Sequence, residues 1–199
     1  MTGPTIAVER ITGLVLAGGR GSRMGAVDKG LEVFRGEPLV AHVLERMRPQ
    51  VGRLIISANR HRGRYAAFGH PVVADAIADD IGPLAGLHAG LTACNTDFLV
   101  AVPCDAPFLP QHLVARLTQP FADPLTVVSM AATADGAHPV CCLMRRDVVD
   151  ALAAFIAGGG RSVGAWIATL DGRAVSFDDE RSFRNLNTRD ELRDAEHDA

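Results

Sequence analysis

This chain lacks any strong excess of positive or negative charge. Its formal net charge is −3 over 199 residues, which gives no electrostatic reason to expect nucleic acid or an anionic membrane as a partner. Apolar runs of bilayer length are missing too, since the cleanest run, residues 98–102, is only strand-length. Residues 1–10 lack the cationic start and apolar stretch of a signal peptide. The four cysteines at 94, 104, 141 and 142 form no C-x-x-C pair, and adjacent Cys141 and Cys142 suit neither a staple nor a zinc site. They are expected as reduced core side chains, Cys104 included, which fits a soluble, cytoplasmic protein. No repeat or low-complexity tract interrupts the chain. With 22% charged residues, wholesale disorder is excluded, and at ~100–200 residues per domain one domain accounts for the length. We place it at 11–197, after an N-terminal extension over 1–10 whose order or disorder the sequence leaves open.

What the chain has is alternation. Short β-branched runs stand at 11–17, 54–57, 72–74, 98–103, 126–130 and 140–144. Helix-period segments lie between and after them, at 39–47, 84–92, 111–118, 148–157 and 163–170, and a last helix starts after Asn187-Thr188. Strands apolar on both faces and separated by amphipathic helices predict an α/β fold: a three-layer, Rossmann-like sandwich with a mostly parallel central sheet. In such sheets ligands bind beyond the carboxyl ends of the strands, so functional residues are sought there.

The first strand runs into Leu16-Ala17-Gly18-Gly19-Arg20-Gly21-Ser22-Arg23-Met24-Gly25, followed by Asp28-Lys29. Glycines permit positive φ and close backbone approach, so successive N–H groups can converge on an anion. Two common phosphate loops are excluded by counting. A dinucleotide fingerprint needs a third small residue where Met24 stands, and a P-loop needs Ser or Thr after the lysine, where Gly30 stands. Arg23 and Lys29 bracket the loop and suit a triphosphate. Asp105 follows the apolar strand 98–103, and Pro107 and Pro110 delay the next helix too far for simple capping. A carboxylate so placed suits Mg²⁺, which takes one or two carboxylates together with substrate phosphates and water. Asn59 reads locally as a turn or capping residue, with Arg60 and His61 as surface or capping residues. Gly82-Pro83 reads as a turn opening a helix. Asn187 or Thr188 reads as a helix cap, and the alternating Asn185 and Asn187 would share one side of an extended stretch.

The string Leu-Ala-Gly-Gly-x-x-x-Arg-Met-Gly-x-x-x-Lys resembles the signature of sugar-phosphate nucleotidyltransferases. The stretch Arg-Met-Gly-Ala-Val-Asp-Lys-Gly-Leu resembles MobA-type molybdenum cofactor guanylyltransferases in particular. The resemblance runs from about Ile11 to Leu192. It implies a nucleotidyltransferase domain with its nucleotide half at 11–105 and its acceptor half at 106–197. It implies transfer of GMP from GTP to molybdopterin with release of pyrophosphate, Mg²⁺ as cofactor, and catalytic Asp105, Lys29 and Arg23, with Asp105 the metal ligand. GTP would be held by Leu16, Ala17, Gly18, Gly19, Lys29, Asn59, Asp75 and Asp105, with the 82–86 segment against the base. Asn185 and Asn187 would face the pterin. Arg189 departs from the pattern, where a proline is common. His138, in the loop leading into the acceptor-side sheet, is not taken as catalytic. The implied partners are GTP and molybdopterin, with molybdenum-insertion proteins and molybdoenzyme chaperones beyond them; no nucleic acid or membrane is expected, and the protein would be a monomer or weak oligomer.

Alternatives within the same chemistry are a CTP:molybdopterin cytidylyltransferase and a sugar- or polyol-phosphate nucleotidyltransferase. A non-catalytic molybdopterin carrier or chaperone would need neither Asp105 nor Lys29. A GTP-binding switch is disfavoured by the failed P-loop count.

Overall fold

Strand-length runs of β-branched residues organise the computed structural model, which describes residues 6–17, 28–75 and 81–197. Nine strands are described: β1 Ile11–Leu16, β2 Val33–Phe34, β3 Glu37–Pro38, β4 Arg53–Ser57, β5 Val72–Val73, β6 Phe98–Pro103, β7 Val128–Thr133, β8 Gly136–Arg145 and β9 Arg173–Ser176. Seven form one sheet in the order β5-β4-β1-β6-β8-β7-β9, while β2 and β3 form a separate small hairpin. The β5-β4, β4-β1, β1-β6 and β7-β9 pairs are parallel, and only β8 runs against its neighbours β6 and β7. The mostly parallel α/β sheet expected from the alternation is present.

Seven helices are described: α1 Leu39–Met47, α2 Arg62–Ala66, α3 Pro83–Ala93, α4 Leu113–Leu117, α5 Val149–Ala157, α6 Val163–Thr169 and α7 Arg189–His197. They cover both faces because successive strand side chains point to opposite sides. On β6, Phe98, Val100 and Val102 join the core beneath α1 and α4, whereas Leu99 and Ala101 join the core beneath α3, α5 and α6. A third small cluster, Phe34, Leu39, Leu186, Leu192 and Ala195, fastens α7 to the β2–β3 hairpin.

Three features depart from the sequence reading. The run expected at 126–130 lies at 128–133, and that expected at 140–144 extends over 136–145, because the two strands form one antiparallel hairpin whose register slips between Met130 and Ala131. Strand β9, half polar and exposed, carries no apolar run to mark it. Residues 6–10, placed outside the domain by the sequence, are attached to it: Val8–Arg10 form a 3₁₀ turn, Ile6 packs on the core, and Arg10 pairs with Asp97 at 2.6 Å. Gly52 admits this contact, since a Cβ there would lie 2.7 Å from the Cα of Glu9. All four cysteines are buried and unpaired with one another. No described helix is long and apolar enough to cross a membrane.

Candidate active site

Parallel register sets four strand ends level: Leu16 of β1 is opposite both Ser57 of β4 and Pro103 of β6, and Ser57 is opposite Val73 of β5. Backbone bonds continue past this line, from Ala17 N–H to Ser57 O at 2.8 Å, Cys104 N–H to Leu16 O at 3.1 Å and Ala58 N–H to Val73 O at 2.9 Å. The next residues along each chain are therefore delivered side by side. Asn59, Asp75 and Asp105 each stand two positions beyond that line, and residues scattered over the sequence become one row.

At the β4–β5 end, Asn59 and Asp75 bind each other reciprocally. The Asn59 Nδ2 amide donates to Asp75 Oδ2 at 2.8 Å, and the Asp75 backbone N–H donates to Asn59 Oδ1 at 2.9 Å. Ser57 Oγ donates to the other Asp75 oxygen at 3.3 Å. Asn59 thus caps no helix: the residue before α2 is His61, in left-handed conformation, and its side chain makes no capping bond. Asp75 is fixed by its neighbours instead of swinging freely, which suits a hydrogen-bond acceptor presented to a ligand.

Helix α3 closes the same corner. Gly82 has φ +59° and turns the chain into Pro83 at the first helical positions. Gly86 lets the helix touch the sheet, because a Cβ there would lie 2.6 Å from Leu16 Cδ2 and 2.8 Å from Ser57 Oγ. The 82–86 segment is therefore held against the ends of β1 and β4, where the sequence reading places the base.

At the β6 end, Asp105 is a buried acid whose side chain retains 11% exposure. Its carboxylate lies 3.6 Å from the Lys29 ammonium. Burial pushes the Asp105 pKa above the ordinary carboxylate range, outweighing the nearby Lys29 charge that lowers it. Lys29 also donates to the Asn187 side-chain oxygen. Asn187 is brought there because the Leu186 N–H donates to Asp105 O at 2.8 Å and Leu186 is buried in the α7 cluster. Behind it, Thr188 and Glu191 form a capping box: the Glu191 N–H donates to Thr188 Oγ1, and Glu191 Oε2 accepts from the Thr188 N–H, each at 3.1 Å. Glu191 Oε2 also accepts from the Asn187 N–H at 2.5 Å. The cap forms without the common proline at Arg189.

The structure thus assembles Lys29, Asp105 and Asn187 on one side and Asn59 with Asp75 on the other, with Leu16 and Ala17 between them at the end of β1. Asn185 is exposed on the irregular segment leading to Asn187. Gly18, Gly19 and Arg23 lie outside the described residues. His138 accepts or donates at Nε2 to Thr133 Oγ1 at 3.0 Å and stacks on Phe183 at 4.6 Å. Burial lowers its pKa. A groove of about 650 Å³, whose lining includes Arg46, Phe108, Arg116, Phe177 and Arg181, contains none of the row residues.

Sequence reasoning missed the partners of Asp28. Its carboxylate accepts from the Tyr65 hydroxyl and lies 3.1 Å from His61 Nδ1. Composition carried one signal for this corner: Lys29 is the sole lysine of the chain, every other long cationic side chain being arginine.

Comparison with known proteins fits this arrangement. The family model of the MobA-like NTP transferase domain matches residues 13–173. A molybdenum cofactor guanylyltransferase from Cupriavidus necator is 48% identical over 193 residues, covering 94% of this chain and 97% of that protein. One of the same name from Bordetella pertussis is 49% identical over 187 residues, covering 92% and 95%. Among solved structures, molybdopterin-guanine dinucleotide biosynthesis protein A from Archaeoglobus fulgidus superposes with TM-score 0.73 at 23% identity, over 94% of this chain and 97% of that one. The row of strand-end side chains and these matches lead to one conclusion: the chain is a nucleotidyltransferase that belongs to the MobA-like NTP transferase family, alongside proteins named molybdenum cofactor guanylyltransferase.

Proposed function

We propose that this chain transfers GMP from GTP to molybdopterin, giving the guanine dinucleotide form of the cofactor and pyrophosphate. The observation that carries the reading is the Lys29 ammonium held between Asp105 and Asn187 at the level strand ends. Lys29 binds phosphate oxygens and neutralises their charge, and Arg23 serves the same end. Asn59, Asp75, Leu16 and Ala17 hold the nucleoside, and the glycine loop with Gly18 and Gly19 holds the triphosphate. Guanine offers N–H donors, and a site presenting fixed acceptors rejects a base lacking them, because its polar groups would be left unpaired. Asn185 and Asn187 face the acceptor. The acceptor phosphate oxygen attacks the α-phosphorus of GTP; that bond forms as the bond to the pyrophosphate oxygen breaks. Both reactants are anions, so these side chains act by positioning and charge neutralisation.

The donor set also suits Mg²⁺. Asp105 offers a carboxylate that is 11% exposed and lies 3.6 Å from the Lys29 ammonium. One protein carboxylate completed by phosphate oxygens and water is what this ion commonly accepts. When bound, Mg²⁺ would polarise phosphate oxygens and offset charge on the leaving pyrophosphate. The nucleotide half is 11–105 and the acceptor half 106–197. We place the enzyme in the cytoplasm as a monomer or weak oligomer, with molybdenum-insertion proteins and molybdoenzyme chaperones as its further partners.

Calorimetry with Mg²⁺ and GTP, CTP, ATP or UTP tests the reading. GTP should bind selectively, and Asp105→Ala should stay folded while losing most transfer activity. CTP preference would move the chain to cytidylyl transfer; ordinary turnover by Asp105→Ala would remove the metal assignment.

A further inference from the structure

Lys29 is anchored on both sides along the chain. On one side, the Asp28 side chain is 11% exposed, and its two oxygens meet the Tyr65 hydroxyl and His61 Nδ1. On the other, Gly30 is buried so closely that a Cβ would lie 2.6 Å from Tyr65 Oη and 3.2 Å from Cys104 Sγ. A 3₁₀ turn joins the two, with Leu31 N–H bonded to Asp28 O at 3.0 Å and Glu32 N–H to Lys29 O at 3.1 Å. One phenol therefore touches both neighbours of the lysine.

We propose that Tyr65 is a positioning residue for nucleotidyl transfer, its buried hydroxyl acting through the Asp28 carboxylate to set where the Lys29 ammonium stands. The inference rests on the functional reading of Lys29 given above. Filling the core between α1 and the sheet would need only a phenyl ring, and Phe would leave no hydroxyl to satisfy. Tyr65 is completely buried, and a buried hydroxyl left without a partner is unfavourable. A nearly buried carboxylate without donors would be more so. Each group supplies what the other requires, and the pair sits at the base of the only lysine. Burial, then Cys104 and the hydrogen bond to Asp28, push the phenol pKa far up, so the hydroxyl stays protonated and able to donate. His61, held in left-handed backbone geometry at φ 47°, brings the second contact to Asp28. Neither Tyr65 nor His61 makes a described hydrogen bond to Asp105 or Asn187, and the hydrogen-bonded route from the phenol toward Lys29 runs through Asp28 and the turn.

The single lysine makes the test direct. A chain grown with ¹³Cε-lysine carries one side-chain label, and its resonance reports the Lys29 environment with or without turnover. In Tyr65→Phe and in Asp28→Ala that resonance should move toward its position in the urea-unfolded chain, while far-UV circular dichroism stays unchanged. GTP-dependent transfer by Tyr65→Phe should fall about tenfold or more, mostly in kcat rather than KM. The double variant should be no worse than Asp28→Ala, since the two act as one unit. Asp28→Ala carries the test on its own if Tyr65→Phe does not fold. An unmoved resonance in either folded variant, additive losses in the double variant, or undiminished kcat in Tyr65→Phe overturns the proposal. A wild-type chain without transfer activity would instead bring down the functional reading, and the resonance would still decide whether Tyr65 places the lysine.

Discussion

Asp105 shows at the level of one side chain how a buried acid in the candidate site works against the stability of its fold. Burial favours its neutral form more than Lys29 favours the charged one, so its folded pKa lies above the unfolded value. An acid shifted in this direction contributes its full stability below the unfolded pKa and loses it as pH rises through the folded one. Asp105→Asn keeps the shape and removes the buried charge. It should therefore melt at a higher temperature than the parent at pH 7, and the difference should vanish in the pH range where Asp105 is protonated in both states. Thermal unfolding at a series of pH values checks this, and equal melting at pH 7 would refute it. Activity should be lost over the same pH range, a trade of function against stability of the usual kind. The sequence singled out Asp105 and Lys29 because a carboxylate follows an apolar run and a cation flanks a glycine loop, and the fold brings the two within 3.6 Å. Tyr65 was not legible, since a buried aromatic residue normally signifies core and its hydroxyl finds its acceptor only in three dimensions.

For the elements, α3 carries the sharpest case. It is buried on most sides, with Leu84, Ala85, Gly86, Leu87, Ala89, Gly90 and Leu91 all inside, and two glycines set its distance from the sheet. A Cβ at Gly90 would meet Leu14 Cδ2 at 2.4 Å, well below the strand ends; one at Gly86 would meet Leu16 and Ser57 at the site itself. Overpacking of this kind costs about 1–3 kcal/mol, against roughly 1 kcal/mol returned by the better helix propensity of alanine. Both Gly90→Ala and Gly86→Ala should therefore lower the urea midpoint or leave it nearly unchanged. Only Gly86→Ala should weaken GTP binding, because only it displaces the Ser57 hydroxyl from Asp75. Calorimetry on the two variants separates the roles, and equal losses of affinity would show that α3 acts through stability alone. The sequence marked Gly82-Pro83 as a helix start; the need for glycine at 86 came from its closeness to two other strands.

Across the molecule, β6 and β8 join the two halves of the sheet, pairing from Phe98 with Arg145 to Ala101 with Cys142. Helix α7 returns from the chain end to the β2–β3 hairpin, where the Arg35 N–H donates to Glu196 Oε1 at 3.0 Å. These links should make the fold one cooperative unit. Trp166, the sole tryptophan, is fully buried in the core beneath α3, α5 and α6. Its emission should shift at the same urea concentration as far-UV circular dichroism, and two separate midpoints would divide the nucleotide half from the acceptor half. Saturating GTP should move both signals together, by about 2.7 kcal/mol at 100 times the dissociation constant.

The amino-acid order by itself determined the α/β class and the alternation of its main strands and helices, and it singled out Asp105 and Lys29. Those features depend on local periodicity and on residues whose chemistry is out of place for folding. Tertiary structure alone decided that β8 reverses, that β9 joins a sheet at all, and that the Asn187 carboxamide stands beside Lys29, 158 positions away. It also decided that Asn59 grips Asp75 instead of capping a helix. Each of these is settled by which strands lie level and which side chains must share a buried donor, and register across a sheet is a property of the assembled layers, with no trace in any one segment.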